Sequence, residues 1–278
     1  MADVLVLANE TIGGRELLDA IRDRHKEGDA RFHVVVPQSR PRHGNVIYDE
    51  AVRDSAQVRV DLALAFMRDE GIEGTGEVGD ADPFNAATDA IGAHGIDEII
   101  ISTLPAVTSG WLRRDLPERL REETGLPVEH VVVDLVADGL PFDVTLVLAN
   151  QTAASPELTK RLEALAEERP HRFIVVVPQP STRGDAVAHA RERLGRLLES
   201  LRKAGIVAAG MIGDPDPYTA AMNAAQYFHI SEIVVSTLPE GSSQWMADKL
   251  VERIEGATNK PVEHIESQPD SETAGAEA

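Results

Sequence analysis

The chain of 278 residues contains no cysteine. Disulfide bonds, thiolate metal sites and cysteine nucleophiles are therefore excluded. No apolar run approaches the roughly 18 residues that a membrane-spanning helix needs. The first residues, MADV, also lack the basic and apolar segments of an export signal. We therefore expect a cytoplasmic protein with no membrane partner.

Basic residues are the minority charge: 27 lysines and arginines stand against 47 acidic residues, which gives a net charge of −20 at pH 7. A field of this sign repels nucleic acid and anionic membranes, so neither is expected as a partner. The Walker A lysine motif, the G-x-S-x-G elbow and the H-E-x-x-H zinc pair are absent from the sequence. No acid–base pair stands out, which favours a protein without catalytic residues.

What the chain does have is an internal repeat. Residues 5–11 (LVLANET) return as 146–152 (LVLANQT), 79–83 (GDADP) as 213–217 (GDPDP), and 127–130 (PVEH) as 261–264. This spacing is far longer than the roughly 20 to 50 residues of solenoid units. We predict two tandem domains, at 1–138 and 143–266, followed by a polar tail at 267–278 that we expect to be disordered.

Each copy alternates short β-branched runs with helical patterns. In the first copy the periodicity predicts strands over 4–8, 32–36, 75–78, 98–102 and 128–133, with helices over 14–26, 46–70, 83–94 and 109–123. Strands that alternate with helices form a parallel sheet covered on both faces. Ligands of such sheets bind beyond the carboxyl ends of the strands, where the strand order reverses.

This rule selects a candidate binding site in each copy. Its residues follow or end the predicted strands, or begin the fourth helix. They are Asn9, Val36, Gly79, Asp80, Ser102, Thr103, Ser109 and Arg113 in the first copy and Asn150, Val177, Gly213, Asp214, Ser236, Thr237 and Ser243 in the second. The second copy has Ala247 opposite Arg113, so an anion would favour the first copy.

Structural roles explain part of this set. Asp82 and Pro83 are suited to the N-cap and the first position of a helix. Ser109 and Ser243 could either cap their helices or bind an anion together with free helix N–H groups, and both readings stay open. His130 and His264, each beside a glutamate, favour the polarity of an edge strand over a metal site. The basic segment at 39–44 favours a solvated loop.

Together these motifs resemble the universal stress protein family in a tandem two-domain form. The resemblance rests on the apolar first strand, the segment Gly213-Asp214-Pro215 before the third helix, and the final Pro-Val strand in each copy. It implies two Rossmann-like domains of the adenine nucleotide alpha hydrolase-like type. Each would have a five-stranded parallel sheet of order 3-2-1-4-5. It also implies that the two domains pair within the chain, and the pair could dimerise again.

The chain departs from the family's ATP-binding members at two places. They carry aspartate after the first strand, where this chain has Asn9 and Asn150, and a glycine-rich phosphate loop after the fourth. Here that loop lacks the spaced glycines and contains Pro105 or Pro239, which have no backbone donor. The favoured hypothesis is a non-catalytic stress-response protein with atypical or absent nucleotide binding. The alternative is an adenine nucleotide binder, with ATP as ligand and slow ATP hydrolysis.

Overall fold

The computed structural model describes residues 1–39, 49–112, 115–179, 184–239, 245 and 248–268. It divides into two compact units whose main boundary along the chain lies between Pro141 and Phe142. We call the residues before this boundary the first domain and the residues after it the second domain. Among the described residues, no helix has both the length and the apolar character to span a bilayer.

Strands and helices alternate in the first domain as the sequence predicts. Its elements are β1 (Ala2–Leu7), α1 (Arg15–Glu27), β2 (Ala30–Pro37), α2 (Asp49–Asp69), β3 (Gly74–Gly79), α3 (Pro83–His94), β4 (Glu98–Thr103), α4 (Leu116–Thr124) and β5 (Val128–Val132).

The second domain repeats this order. Its elements are β6 (Asp143–Leu148), α5 (Pro156–Glu168), β7 (His171–Pro178), α6 (Gly184–Lys203), β8 (Ala208–Gly213), α7 (Pro217–Tyr227), β9 (Glu232–Thr237), α8 (Leu250–Thr258) and β10 (Val262–Glu266).

Each domain is built on one five-stranded sheet in which every pair of neighbours is parallel. The strand orders are β3-β2-β1-β4-β5 and β8-β7-β6-β9-β10. The predicted order 3-2-1-4-5 is therefore confirmed in both domains. The strand order reverses between β1 and β4, and again between β6 and β9, so these are the places where ligands of such sheets bind.

The central strands are apolar on consecutive residues because helices cover both faces of the sheet. In β1, Val4, Leu5, Val6 and Leu7 are all fully buried. Phe32 of β2 is fully buried as well, which shows that the core extends to both faces of the sheet.

Helix α3 shows how local sequence places an element at the carboxyl edge of the sheet. The Asp82 carboxylate accepts hydrogen bonds from the backbone N–H groups of Phe84 and Asn85, and Pro83 occupies the first turn. At the other end Gly95 adopts the left-handed conformation with φ of 67° and donates to the carbonyl of Ile91. The predicted N-cap is confirmed, and the helix keeps the bounds predicted from the sequence.

Two sequence-based boundaries need correction. The fourth helix begins at Leu116 and not at residue 109, because Ser109 and Leu112 close a separate turn and Asp115 has a left-handed φ of 49°. Ser267, predicted to begin the disordered tail, is buried and donates its backbone N–H to the carbonyl of Thr237. Residues 269–278 of that tail, and residues 40–44 of the basic segment, lie outside the described part of the chain.

Candidate functional site

The strands bring several predicted residues to one edge of each sheet. Leu7 of β1 pairs with Ile101 of β4, so Ser102 lies one step beyond this pair and Asn9 lies two steps beyond it. In the second domain Leu148 pairs with Val235 in the same register. The ends of β1 and β4, and of β6 and β9, therefore form equivalent candidate sites.

Asn9 presents an acceptor that nothing in the described residues satisfies. Its Nδ2 donates to the carbonyl of Pro37 at 3.0 Å, whereas its Oδ1 is buried without a hydrogen-bond partner. The carbonyl of Pro37 can only accept, which fixes the amide orientation by chemistry. Asn9 is only 8% exposed. The Oδ1 of Asn150 is likewise buried without a hydrogen-bond partner. Both domains therefore hold a buried carbonyl oxygen that requires a donor.

The serines at the ends of β4 and β9 are not equivalent. In the second domain the Oγ of Ser236 donates to the Oγ1 of Thr152 at 2.8 Å, and the Oγ of Ser267 lies 3.2 Å from it. In the first domain the Oγ of Ser102 is buried and has no partner among the described residues. The two sites therefore differ in one hydroxyl group that can still form hydrogen bonds.

A threonine and a histidine form a pair in each domain. The Oγ1 of Thr103 lies 2.8 Å from the Nε2 of His130, and Thr237 and His264 repeat this distance. Because Thr237 donates its proton to the carbonyl of Leu238, the Nε2 of His264 carries the proton in that pair. Burial lowers the pKa of His130, with a smaller contribution from the positive charge of Arg121. Neutral histidine is thereby favoured at this edge of the first domain.

Sequence reasoning noticed these histidines but not their partners. The signal was available, because Thr103 and His130 recur together 134 residues later as Thr237 and His264. Among the described residues, neither histidine has a carboxylate hydrogen-bonded to its other ring nitrogen, the group that orients the base in nucleophilic catalysis.

Glycine at the end of β3 is explained by packing against helix α3. A Cβ at Gly79 would lie 2.7 Å from the Cβ of Ala86 and 2.8 Å from the Cγ1 of Val35. A Cβ at Gly213 would likewise lie 2.7 Å from the Cβ of Ala220 and 2.7 Å from the Cγ1 of Val176. The two glycines let a helix approach the strand closely, and this structural requirement is sufficient to account for them.

Asp80 and Asp214 also have local roles. The Oδ1 of Asp80 accepts from the N–H of Asp82 at 2.7 Å, and the Oδ1 of Asp214 accepts from Asp216 at 2.9 Å. These contacts hold the turn that leads into the capped helix. The carboxylates of both aspartates are therefore already hydrogen-bonded to the backbone.

The loop after β4 does not present amide donors in the way a phosphate loop does. The N–H groups of Thr108 and Ser109 both donate to the carbonyl of Pro105, at 2.9 and 2.8 Å. The Oγ of Ser109 accepts from the N–H of Leu112 at 3.2 Å, so Ser109 closes a separate turn and does not cap the fourth helix, which begins at Leu116. Turn formation thus uses the donors that an anion would need.

The remaining predicted residues add little to the described site. Val36 and Val177 are fully buried within β2 and β7, so their side chains belong to the core. Arg113 and Ser243 lie outside the described residues. Within the described ranges there is no group of three or more histidine, aspartate or glutamate side chains that could hold a metal ion.

Similar proteins are found among solved structures. No family model and no curated protein matches the sequence. A universal stress protein from Archaeoglobus fulgidus DSM 4304 aligns with 95% of this chain and 96% of its own, at 15% identity and a TM-score of 0.36.

Two further structures align with this chain. One is a keto acid-selecting NRPS module with adenylation, ketoreductase and pseudo Asub domains. The alignment covers 93% of this chain and 29% of the module's chain, at 8% identity and a TM-score of 0.27. The other is a structure of trehalose-6-phosphate from E. coli bound with UDP-2-fluoro glucose. The alignment covers 85% of this chain and 84% of the chain in that structure, at 12% identity and a TM-score of 0.21.

Proposed function

We propose that this chain is a two-domain, non-catalytic binding protein of the universal stress protein kind. Its sites lie at the carboxyl edges of the two sheets and take an uncharged polar small molecule, of which a nucleoside is the model. In this proposal the protein acts in the cytoplasm as a regulatory component of a stress response. The two domains pair within the chain, as the sequence resemblance implies.

The observation that carries the proposal is the unpartnered Oδ1 of Asn9 and Asn150. A buried acceptor without a partner costs about 1–3 kcal/mol. Two copies of the domain retain the same asparagine at the same position beyond the first strand. A ligand that donates an N–H or O–H group to this oxygen would recover that free energy, so the natural ligand carries a hydrogen-bond donor.

The loop after β4 supports an uncharged ligand. Its amides at Thr108 and Ser109 are engaged with Pro105, and proline supplies no donor of its own. The chain carries a net charge of −20, which opposes a polyphosphate further. A triphosphate would find the amides of Thr108 and Ser109 already engaged, on a chain whose net charge repels it.

Calorimetry with adenosine and with ATP–Mg²⁺ tests this proposal. We expect adenosine to bind and ATP–Mg²⁺ to bind more weakly, with no phosphate released over hours. Replacing both asparagines, Asn9→Ala with Asn150→Ala, should weaken adenosine binding about tenfold or more for each lost hydrogen bond to a buried group. Tighter binding of ATP–Mg²⁺ than of adenosine would contradict the proposal.

The alternative is an adenine nucleotide binder with slow ATP hydrolysis. The hydroxyl group of Thr103 at the carboxyl edge of the first domain favours it, because a hydroxyl can replace an amide as a donor to phosphate. Mass spectrometry of ligand that co-purifies with the untreated protein separates the two proposals. Bound ATP or ADP would support the alternative, and a nucleoside would support the favoured function.

A further inference from the structure

The two carboxyl edges differ at one buried hydroxyl. Ser236 has its hydroxyl engaged by Thr152 and lies against the hydroxyl of Ser267. Ser102, its counterpart, is 1% exposed and its Oγ has no partner among the described residues. Thr11 does reach this region, but its Oγ1 donates to the backbone carbonyl of Ser102 at 3.4 Å and leaves the hydroxyl unpaired.

The surroundings of these two serines also differ by a pair of exchanged residues. Val133 and Ser267 occupy corresponding positions in the two domains. Each donates its backbone N–H, at 2.9 Å, to the carbonyl of the threonine that ends the neighbouring strand. Valine offers no hydroxyl to Ser102. The residue facing Val133 is Gly14, where a Cβ would lie 2.2 Å from the Cγ1 of Val133. The second domain has Ser155 there, with its side chain capping α5.

The exchange is therefore coupled. A bulky valine at 133 requires glycine at 14, and a small serine at 267 permits serine at 155. The first domain gains apolar packing from Val133 and leaves one hydroxyl unsatisfied. In the second domain the hydroxyls of Thr152, Ser236 and Ser267 are all hydrogen-bonded. A ligand group that binds Ser236 would therefore have to replace an existing hydrogen bond.

We infer that the two domains are unequal binding sites, and that the first domain is the tighter one. This inference rests on the proposed function. The ligand group that distinguishes them is a hydroxyl or amine that can exchange a hydrogen bond with the Oγ of Ser102. Ser102 in β4 and Asn9 after β1 each lie within two residues of the last pair between these strands, so both belong to the same carboxyl edge. One net hydrogen bond corresponds to an affinity difference of about tenfold.

Adenosine titrated into the full chain is the first test. We expect two binding classes, with one tight site per chain and a second site about tenfold weaker. Chemical shift changes of methyl groups assigned in each domain identify the tight site, which should be the first domain. Equal affinities in the two domains would overturn the inference and leave the proposed function intact, whereas no adenosine binding at all would overturn both.

Val133→Ser supplies the missing hydroxyl. We expect it to satisfy Ser102 and to weaken the tight class about tenfold. Val133→Ala is the matched control, because it removes the same apolar bulk without adding a hydroxyl, and it should keep the tight class. If both variants weaken binding equally, the effect comes from lost packing and the inference fails.

The reverse exchange tests the second domain and does not depend on the stability of the first. Ser155→Gly combined with Ser267→Val recreates the first domain's arrangement around Ser236. This double variant should tighten the weak class about tenfold and leave the tight class unchanged. An unchanged weak class in a folded double variant would overturn the inference, as would a crystal structure that shows a water molecule at Ser102 with adenosine bound.

Discussion

The two domains are more alike at the carboxyl edge of the sheet than at the opposite end. At the carboxyl edge, the Thr103–His130 and Thr237–His264 pairs have the same 2.8 Å geometry. Toward the amino-terminal ends of the strands, the first domain has a polar group that the second domain replaces entirely. A duplicated fold has therefore kept most of its carboxyl edge, whereas its opposite end has changed more extensively.

The polar group of the first domain, called here the amino-edge cluster, consists of Asp3, His33, Thr75, Glu77 and His94. The Nε2 of His33 lies 2.8 Å from the Oδ1 of Asp3, and its Nδ1 lies 3.0 Å from the Oγ1 of Thr75. The imidazole ring stacks on that of His94 at 4.7 Å, and the Nε2 of His94 lies 3.5 Å from the Oε1 of Glu77.

The second domain has apolar residues at all five matching positions. They are Val144, Ile174, Ala209, Met211 and Phe228. A fully hydrogen-bonded polar group and a packed apolar group are therefore alternative solutions for the same backbone. The comparison teaches that this end of the fold tolerates a complete change of chemistry, provided that all partners change together.

The largest effect is expected where the two domains cannot exchange single residues. Gly14→Ser places a Cβ 2.2 Å from the Cγ1 of Val133, and such overpacking costs about 1–3 kcal/mol or more of unfolding free energy. Adding Val133→Ser should restore most of this loss, because the second domain accommodates serine at both places. Urea unfolding of the two single variants and the double variant measures the coupling. Additive losses would show that the domains differ there in backbone position and not only in side chains.

A smaller effect is expected in the amino-edge cluster. His33→Ile leaves Asp3 and Thr75 without their partner and should cost about 1–3 kcal/mol. The triple variant Asp3→Val, His33→Ile and Thr75→Ala should recover to within about 1 kcal/mol of the original protein. Thermal unfolding with hydrogen exchange of the β2 amides follows both variants. A triple variant less stable than His33→Ile would show that the surrounding packing cannot accept the second domain's solution.

The cluster also predicts a pH dependence. The hydrogen bond from His33 lowers the pKa of Asp3 below its usual 3.8, with help from the positive charges of His33 and Arg31. A lowered folded-state pKa gives stability that is present above the unfolded value and is lost as the pH falls through the folded value. Asp3→Asn should therefore be less stable than the original at pH 6, and the difference should shrink below about pH 3.8. A difference that does not change with pH would contradict this assignment.

The smallest effect concerns a salt bridge that only the second domain has. Arg161 of α5 binds Glu263 through two nitrogens, at 2.7 and 2.9 Å. The first domain has Ala20 opposite Glu129. Partial burial raises the pKa of Glu129, and the nearby negative Glu27 adds to the shift.

Ala20→Arg should therefore stabilise the first domain by about 0.5 kcal/mol near neutral pH. A raised pKa means that ionising Glu129 opposes folding as the pH rises above its usual 4.5, so the gain should appear over that range and vanish at lower pH. Urea unfolding at pH 7 and at pH 3.5 measures it, and Ala20→Gln is the uncharged control. Equal gains from both variants would exclude the ion pair as the cause.

Much of the architecture could be predicted because the signals are local. Consecutive apolar residues mark the central strands, and Asp82 with Pro83 marks the start of α3, whereas the strand order was implied by the family resemblance. The start of α4 could not be predicted, because Ser109 caps a turn and Asp115 takes a left-handed conformation that the helical periodicity does not reveal.

The candidate site was harder to predict than the fold. The sequence selects Gly79 and Asp80 as ligand residues, but their contacts with Ala86 and Asp82 depend on how closely α3 approaches β3. The coupled exchange of Gly14 with Val133 joins residues more than a hundred positions apart. Such a pair is visible only when the ends of β5 and α1 are brought together in space.

The pairing of β1 with both β2 and β4 has a consequence for how the protein is made. Val4 pairs with Glu98 and Leu7 with Ile101, so one edge of the central strand stays open until residue 101 has been synthesised. At about 5–20 residues per second on the ribosome, this interval lasts roughly 5–20 seconds. The apolar first strand must avoid other strands during that time. The second domain repeats the same delay between β6 and β9, after the first has already had time to close.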